Sequence, residues 1–271
     1  MVLVAVALGA CVTGAGRPPA APTTWPLEAA GADAPAATAA AAHGWGAPAW
    51  ADEFAGDTLD PRWSVYDSPG HDGNGSRRPS QVTVAGGVLT QAGTADAVSA
   101  GMARDGDDAR FGRWEVRARA DGRGPGARPY HAVIALIPAT GAYDAGERDV
   151  DFAEADVGTG EVNLFVHYPP RKQDYLAIPL DLAAWHTFAV EVAPDHVTWF
   201  VDGAVRATVT RPAAIPTRPM KLNVQLDAYR PGDLVPARLQ VDWARFHRLP
   251  PAGTPVLPGP VPPQGDYDPG R

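Results

Sequence analysis

Eight consecutive residues, Glu147-Arg148-Asp149-Val150-Asp151-Phe152-Ala153-Glu154, hold the densest chemistry in this chain. On a regular strand Asp149 and Asp151 share one face while Val150 and Phe152 take the other. Glu154 has the opposite parity, and a β-bulge of one extra residue would return it to the acidic face. Three carboxyls on one surface suit glycoside hydrolysis, which needs a carboxylate beside the anomeric carbon and a protonated carboxyl beside the leaving oxygen. A carboxyl between them would help keep the acid protonated, because crowded like charges raise a pKa. Two other readings stand beside this one. Without a bulge the aligned set is Glu147, Asp149 and Asp151, and an acidic solvated edge strand or part of a cation site would contain the same residues.

The elements around the motif are those of an all-β protein. Gln81-Val82-Thr83-Val84, the turn Ala85-Gly86-Gly87 and Val88-Leu89-Thr90 form a strand, turn, strand pattern. Trp114 to Arg119 alternates apolar residues with charges, the period of a half-buried strand. Tyr130 to Ile137 is almost wholly apolar, as in a strand covered on both faces. Asp202-Gly203 between two β-branched runs predicts a tight hairpin. Lys221 to Leu226 and Arg238 to Phe246 supply further strands, and helical periodicity is scarce. Short strands at turn-marked intervals predict a β-sandwich of jelly-roll type, whose curved sheet would form an open cleft.

Bulk properties frame this domain. The 271 residues include 29 Gly and 29 Pro, which together with the Ala-rich ends predict a folded body of about 200 residues between flexible flanks. A net charge of −8 without a basic run argues against nucleic acid. The single cysteine, Cys11, excludes an intrachain disulfide. Val2 to Ala10 is too short an apolar run to span a bilayer and reads as an export signal. Leu8-Gly9-Ala10-Cys11 has the form of a bacterial lipobox, with a plain signal peptide as the alternative. The expected organisation is therefore a signal at residues 1–11, a disordered Ala/Pro-rich tether at 12–45, a sandwich domain at 46–250 and a Pro-rich disordered tail at 251–271. Neither flank should contribute to stability. The protein is expected to be a secreted monomer or to touch a membrane only through a lipid on Cys11, on the outer face of a bacterial cell.

From about Trp50 to Leu249 the chain resembles glycoside hydrolase family 16. The similarity rests on Asp52-Glu53-Phe54, on Ser99-Ala100-Gly101-Met102 followed by Phe111-Gly112-Arg113-Trp114-Glu115-Val116-Arg117, and on the acidic segment, which is similar to the family's E-x-D-x-x-E signature. Phe165-Val166-His167-Tyr168, Trp185-His186-Thr187-Phe188, Val201-Asp202-Gly203 and Val241-Asp242-Trp243 follow in the family's order. The resemblance implies cleavage of β-1,3- or β-1,3/1,4-glucan, with Asp149 in the place of the nucleophile, Asp151 as its assistant and Glu154 as the acid/base. The alternative is a non-catalytic carbohydrate-binding or cell-wall lipoprotein on the same scaffold.

The chain departs from the family at two points. Asp149 stands where the family has Glu, which draws the carboxyl back by about 1.3 Å, comparable to the gap between the ~5–5.5 Å retaining and ~6.5–9.5 Å inverting separations. The preceding run, His131 to Pro138, lacks the tryptophan on which the family often stacks a sugar. Tyr130, Tyr168, Tyr175 and Tyr229 are the candidate replacements. His167 matches the family's cleft histidine, and His186 is assigned a structural role. Asn223 and Gln225 alternate on one strand and offer amides to sugar hydroxyls. No cofactor is required, although the resemblance implies a structural calcium ion held by Glu53, the Gly87 carbonyl and Asp242.

Overall fold

The computed structural model describes residues 37–141, 149–230 and 232–268. After a single helical turn, α1 (Ala39–Ala42), come β1 (Trp50–Asp52), β2 (Trp63–Val65), β3 (Ser68–Pro69), β4 (Ser76–Arg77), β5 (Val82–Ala85) and β6 (Val88–Gly93). Next are β7 (Val98–Arg104), β8 (Gly112–Gly122), β9 (His131–Pro138), β10 (Val150–Asp156), β11 (Glu161–Tyr168) and β12 (Lys172–Pro179). The chain continues through β13 (His186–Val192), β14 (Val197–Val201), β15 (Ala204–Val209), β16 (Met220–Asp227), β17 (Ala237–His247) and β18 (Gln264–Asp266).

Two sheets form the expected jelly-roll sandwich. One runs β15-β14-β13-β8-β17-β6-β5 with β1 on β17, and the other runs β18-β12-β11-β10-β9-β16-β7-β4-β3 with β2 on β7. Side chains of alternate parity meet between them: Trp114, Phe188, Val190 and Trp199 from the first sheet pack with Ile134, Leu136, Phe152, Leu164 and Val224 from the second. The hairpin at Asp202-Gly203 has positive φ at both residues, 51° and 76°, as its tight turn requires.

Both flanks take more structure than their composition suggests. Within the expected tether, Thr187 Oγ1 donates to the Ala37 carbonyl at 2.7 Å and Glu115 accepts from the Ala39 amide at 2.5 Å. Trp45 closes edge-on against Phe200, with ring centroids 5.4 Å apart. The fold thus begins before residue 46, anchored by one tryptophan and backbone hydrogen bonds instead of a periodic apolar face. Within the expected disordered tail, the Leu257 carbonyl accepts from Thr208 Oγ1 at 2.8 Å and the Pro260 carbonyl from the Thr208 amide at 2.9 Å. β18 then pairs antiparallel with β12. An exposed sheet edge offers unpaired backbone groups that any extended chain can satisfy, which hydrophobic patterning does not reveal. Residues 1–36, which include the expected signal and Cys11, and Glu147 lie outside the described residues.

Candidate active site

The bulge forms in β10. Opposite β11 the register shifts between Asp151 and Glu154, and opposite β9 it shifts between Asp151 and Ala153. Phe152 and Ala153 therefore both enter the core, and Glu154 turns to the face occupied by Asp149 and Asp151. Trp199, reaching across the core from β14, donates its indole N–H to the Asp151 carbonyl at 3.0 Å, satisfying a backbone acceptor at the irregularity. The bulged arrangement brings Asp149, Asp151 and Glu154 into one cleft with His71, His131, His167, Gln225, Asp227, Tyr229, Tyr267 and Asp268.

Two histidines divide the acids between them. His167 Nδ1 lies 2.7 Å from Asp149 Oδ1 and 3.7 Å from Asp151 Oδ2. His131 joins Asp156 Oδ1 through Nδ1 at 2.8 Å and Glu154 Oε1 through Nε2 at 2.7 Å. Burial disfavours the His131 cation, but the hydrogen bonds to Asp156 and Glu154 outweigh it and raise the pKa to about 10. Asp151 is pushed well above the carboxylate range by burial and then by the charges of Asp149 and Glu154, so it tends to remain protonated between them. The donor atoms of Asp149, Asp151 and His167 lie within 4.8 Å of one another.

The remaining expected binding residues separate. Gln225 lines the cleft, whereas Asn223, on the same face, is buried and accepts a hydrogen bond from Tyr66 at 2.8 Å. Tyr229 stacks on His131 with centroids 4.9 Å apart and has His71 4.8 Å away, which places it in the cleft wall. Tyr175 lies on the same sheet face, stacked on Phe165 at 4.7 Å. Two tyrosines do not serve as sugar platforms. Tyr130 is fully buried with its hydroxyl on the Thr94 carbonyl, and Tyr168 points into the core and bonds Asp174. Strand parity separates Tyr168 from His167, its neighbour in sequence. His186 bonds Asp202 at 2.7 Å across the hairpin. A larger space of about 230 Å³ opens on the other side of Asp149 beside Tyr168, Ile215 and Met220, but reaches neither Asp151 nor Glu154.

The proposed calcium ligands do not fit a divalent ion. Glu53 is paired with Arg245 at 2.9 Å and Asp242 with Arg117 at 2.7 Å. Each carboxylate is neutralised by a guanidinium that would also repel the metal, and Gly87 serves the β5–β6 turn with φ 78°.

His131 and Asp156 were missed as site residues. A usable signal was present: across His131 to Leu136, the positions His131, Val133 and Ala135 alternate with the core-facing Ala132, Ile134 and Leu136. Tyr267 and Asp268 carry no such signal, because a long unpatterned connection brings them to the cleft.

The protein is thus a jelly-roll sandwich with carboxyls and histidines gathered on one face of one sheet. The model of the glycosyl hydrolases family 16 matches residues 77–245, and the chain belongs to that family. A beta-glucanase of Brevibacillus brevis is 26% identical over 211 residues, covering 70% of this chain and 78% of that protein. A beta-glucanase of Bacillus subtilis (strain 168) is 28% identical over 120 residues, covering 43% of this chain; the match spans about half (46%) of that relative's length. In fold, the chain is similar to the catalytic domain of an endo-1,3-beta-glucanase (laminarinase) from Thermotoga petrophila RKU-1, with a TM-score of 0.64 at 19% identity, covering 74% of this chain and 97% of that one. The laminarinase from Rhodothermus marinus gives 0.62 at 24% identity, covering 74% and 96%.

Proposed function

We propose that this protein hydrolyses β-1,3- or mixed β-1,3/1,4-glucan, using Asp149 as nucleophile, Glu154 as acid/base and Asp151 as the protonated partner between them. The observation that carries this reading is the bulge in β10, which turns Glu154 onto the face of the two aspartates. In the first step an Asp149 oxygen forms a bond to the anomeric carbon as the bond to the leaving oxygen breaks, and the leaving oxygen takes a proton from the Glu154–His131 pair. Water then attacks the same carbon, giving its proton back to Glu154 and releasing Asp149. Asp151, kept neutral by burial and its neighbours, can donate a hydrogen bond without adding a third negative charge.

Substitution tests this assignment. Glu154→Gln should abolish release of reducing sugar from laminarin and lichenan while calorimetric binding of oligosaccharide survives. Retained hydrolysis in that variant would remove Glu154 from the mechanism. Binding without cleavage in the unaltered protein would favour the carbohydrate-binding alternative. Export as a monomer and attachment to the outer face of a bacterial membrane through Cys11 belong to the same proposal. Detergent-phase partitioning that Cys11→Ala fails to change would disprove the anchor.

A further inference from the structure

The C-terminal strand changes the shape of the cleft. β18 is hydrogen-bonded to the β12 edge with Gln173 opposite Gly265 and Lys172 opposite Asp266, and the Tyr267 amide donates to the Arg171 carbonyl at 2.9 Å. Strand parity places Gly265 and Tyr267 on the concave face together with Gln173. From there the Tyr267 ring reaches inward, meeting His167 edge-on at 5.1 Å while the Arg171 guanidinium covers it at 4.7 Å. Burial and then the nearby charge of Asp149 push the Tyr267 pKa up to about 12, consistent with a phenol that faces the acids. Asp268 follows, held through its amide by Gln173 Oε1 at 3.2 Å. Tyr267 and Asp268 line the same cleft as Tyr229 and the three acids.

We infer that β18 and Tyr267 wall off the β12 side of the cleft, so that the site receives the end of a glucan chain and not its interior. The inference rests on the proposed glucan hydrolysis and adds the mode of attack. A polymer crossing the concave sheet would have to pass over β12, where Tyr267, Arg171 and Asp268 stand. A chain end can enter from the β16 side and stop against Tyr267. The strap is lightly held: three residues long, exposed throughout and paired on one side only.

The ratio of viscosity loss to reducing ends released from a soluble β-glucan tests the inference, measured on the full chain, on Tyr267→Ala and on a chain ending at Pro263. The unaltered protein should release reducing ends with little loss of viscosity. Both variants should raise viscosity loss per bond cut several-fold. Equal ratios in all three proteins would overturn the wall. Calorimetry with laminaritriose and laminarin separates the two levels of the proposal. If no form binds or cleaves either sugar, the glucan reading fails and the wall fails with it. If the unaltered protein binds and cuts chain interiors as readily as the truncated one, only the wall fails.

Discussion

His131 Nε2 and Glu154 Oε1 lie 2.7 Å apart, and the other nitrogen of the same ring is held by Asp156. The imidazole is thus fixed at both ends, with Tyr229 stacked on its face. It carries a proton through neutrality, and in the proposed reaction this proton is the one that the Glu154–His131 pair passes to the leaving oxygen.

That partnership makes stability depend on alkaline pH. The pKa of His131 rises from the ordinary 6.5 to about 10 on folding, so its stabilisation is complete below about pH 6.5 and is lost as the pH climbs through 10. The unfolding free energy of the unaltered protein should decline from pH 7 to 10, and His131→Gln should flatten that decline. An unchanged slope in the variant would show that the proton resides elsewhere.

Asp151 makes a second contribution of the same sign. Its raised pKa means that folding favours the neutral acid, so stability falls as pH rises from the ordinary carboxylate range through the folded-state pKa. Asp151→Asn keeps a similar shape without the ionisation. The variant should gain melting temperature relative to the parent at pH 7 more than at pH 4, while glucan turnover drops. A gain that is the same at both pH values would count against a buried neutral acid.

Asp149 presents its carboxyl one methylene short of a glutamate. Asp149→Glu should raise turnover on laminarin or lichenan by about tenfold or more, because ~1 Å of misplacement can cost ~10²-fold. No gain, combined with loss of activity in Glu147→Gln, would transfer the nucleophile to Glu147.

Arg77 grips Asp227 in the cleft wall through two hydrogen bonds of 2.8 and 2.9 Å, and the Asp227 side chain is only 2% exposed. Burial raises the Asp227 pKa and the guanidinium opposes the rise. Arg77→Met should cost about 3 kcal/mol, since it strands a buried charge, and the double variant with Asp227→Leu should recover much of that loss. Denaturant unfolding of the four proteins measures the coupling, and additive losses would show that the pair is not energetically linked.

At the N-terminal flank, removal of residues 1–36 should leave the melting temperature nearly unchanged, whereas Trp45→Ala should cost about 3 kcal/mol because its ring is buried on Phe200. Thermal unfolding of both variants distinguishes tether from fold, and an unaffected Trp45→Ala would place Trp45 outside the cooperative unit.

Much of the sandwich was legible because the strands alternate strongly and their turns carry Gly or Asp-Gly. The bulge was legible because Glu154 has the wrong parity for a cluster that its residue types suggest. The resemblance to the family could be read before any coordinate, and the family model bears it out. The tyrosines were less tractable: an isolated aromatic gives no parity signal unless its strand boundaries are known, and Tyr130 precedes the first residue of β9. Tyr267 could not be placed from patterning, since one edge strand of three residues is held by backbone hydrogen bonds that many sequences could make. The arginines at Glu53 and Asp242 are separated from their partners by more than 100 positions, so only the folded chain shows that both carboxylates are engaged.

The bulge in β10 also acts as a phase slip in a period-two wave. Residues before it count odd for the cleft, and residues after it count even, with Asp149 and Asp151 on one branch and Glu154 and Asp156 on the other. Ironing out the bulge while Phe152 and Ala153 both remain would put the whole strand on one alternation and drive the Glu154 carboxyl toward the core. An aspartate or glutamate substituted elsewhere can drift gradually under selection, but this spacing is a counted integer. Loss of the bulge alone carries Glu154 and Asp156 across the sheet together, and loss of one residue along with it keeps both on the cleft face.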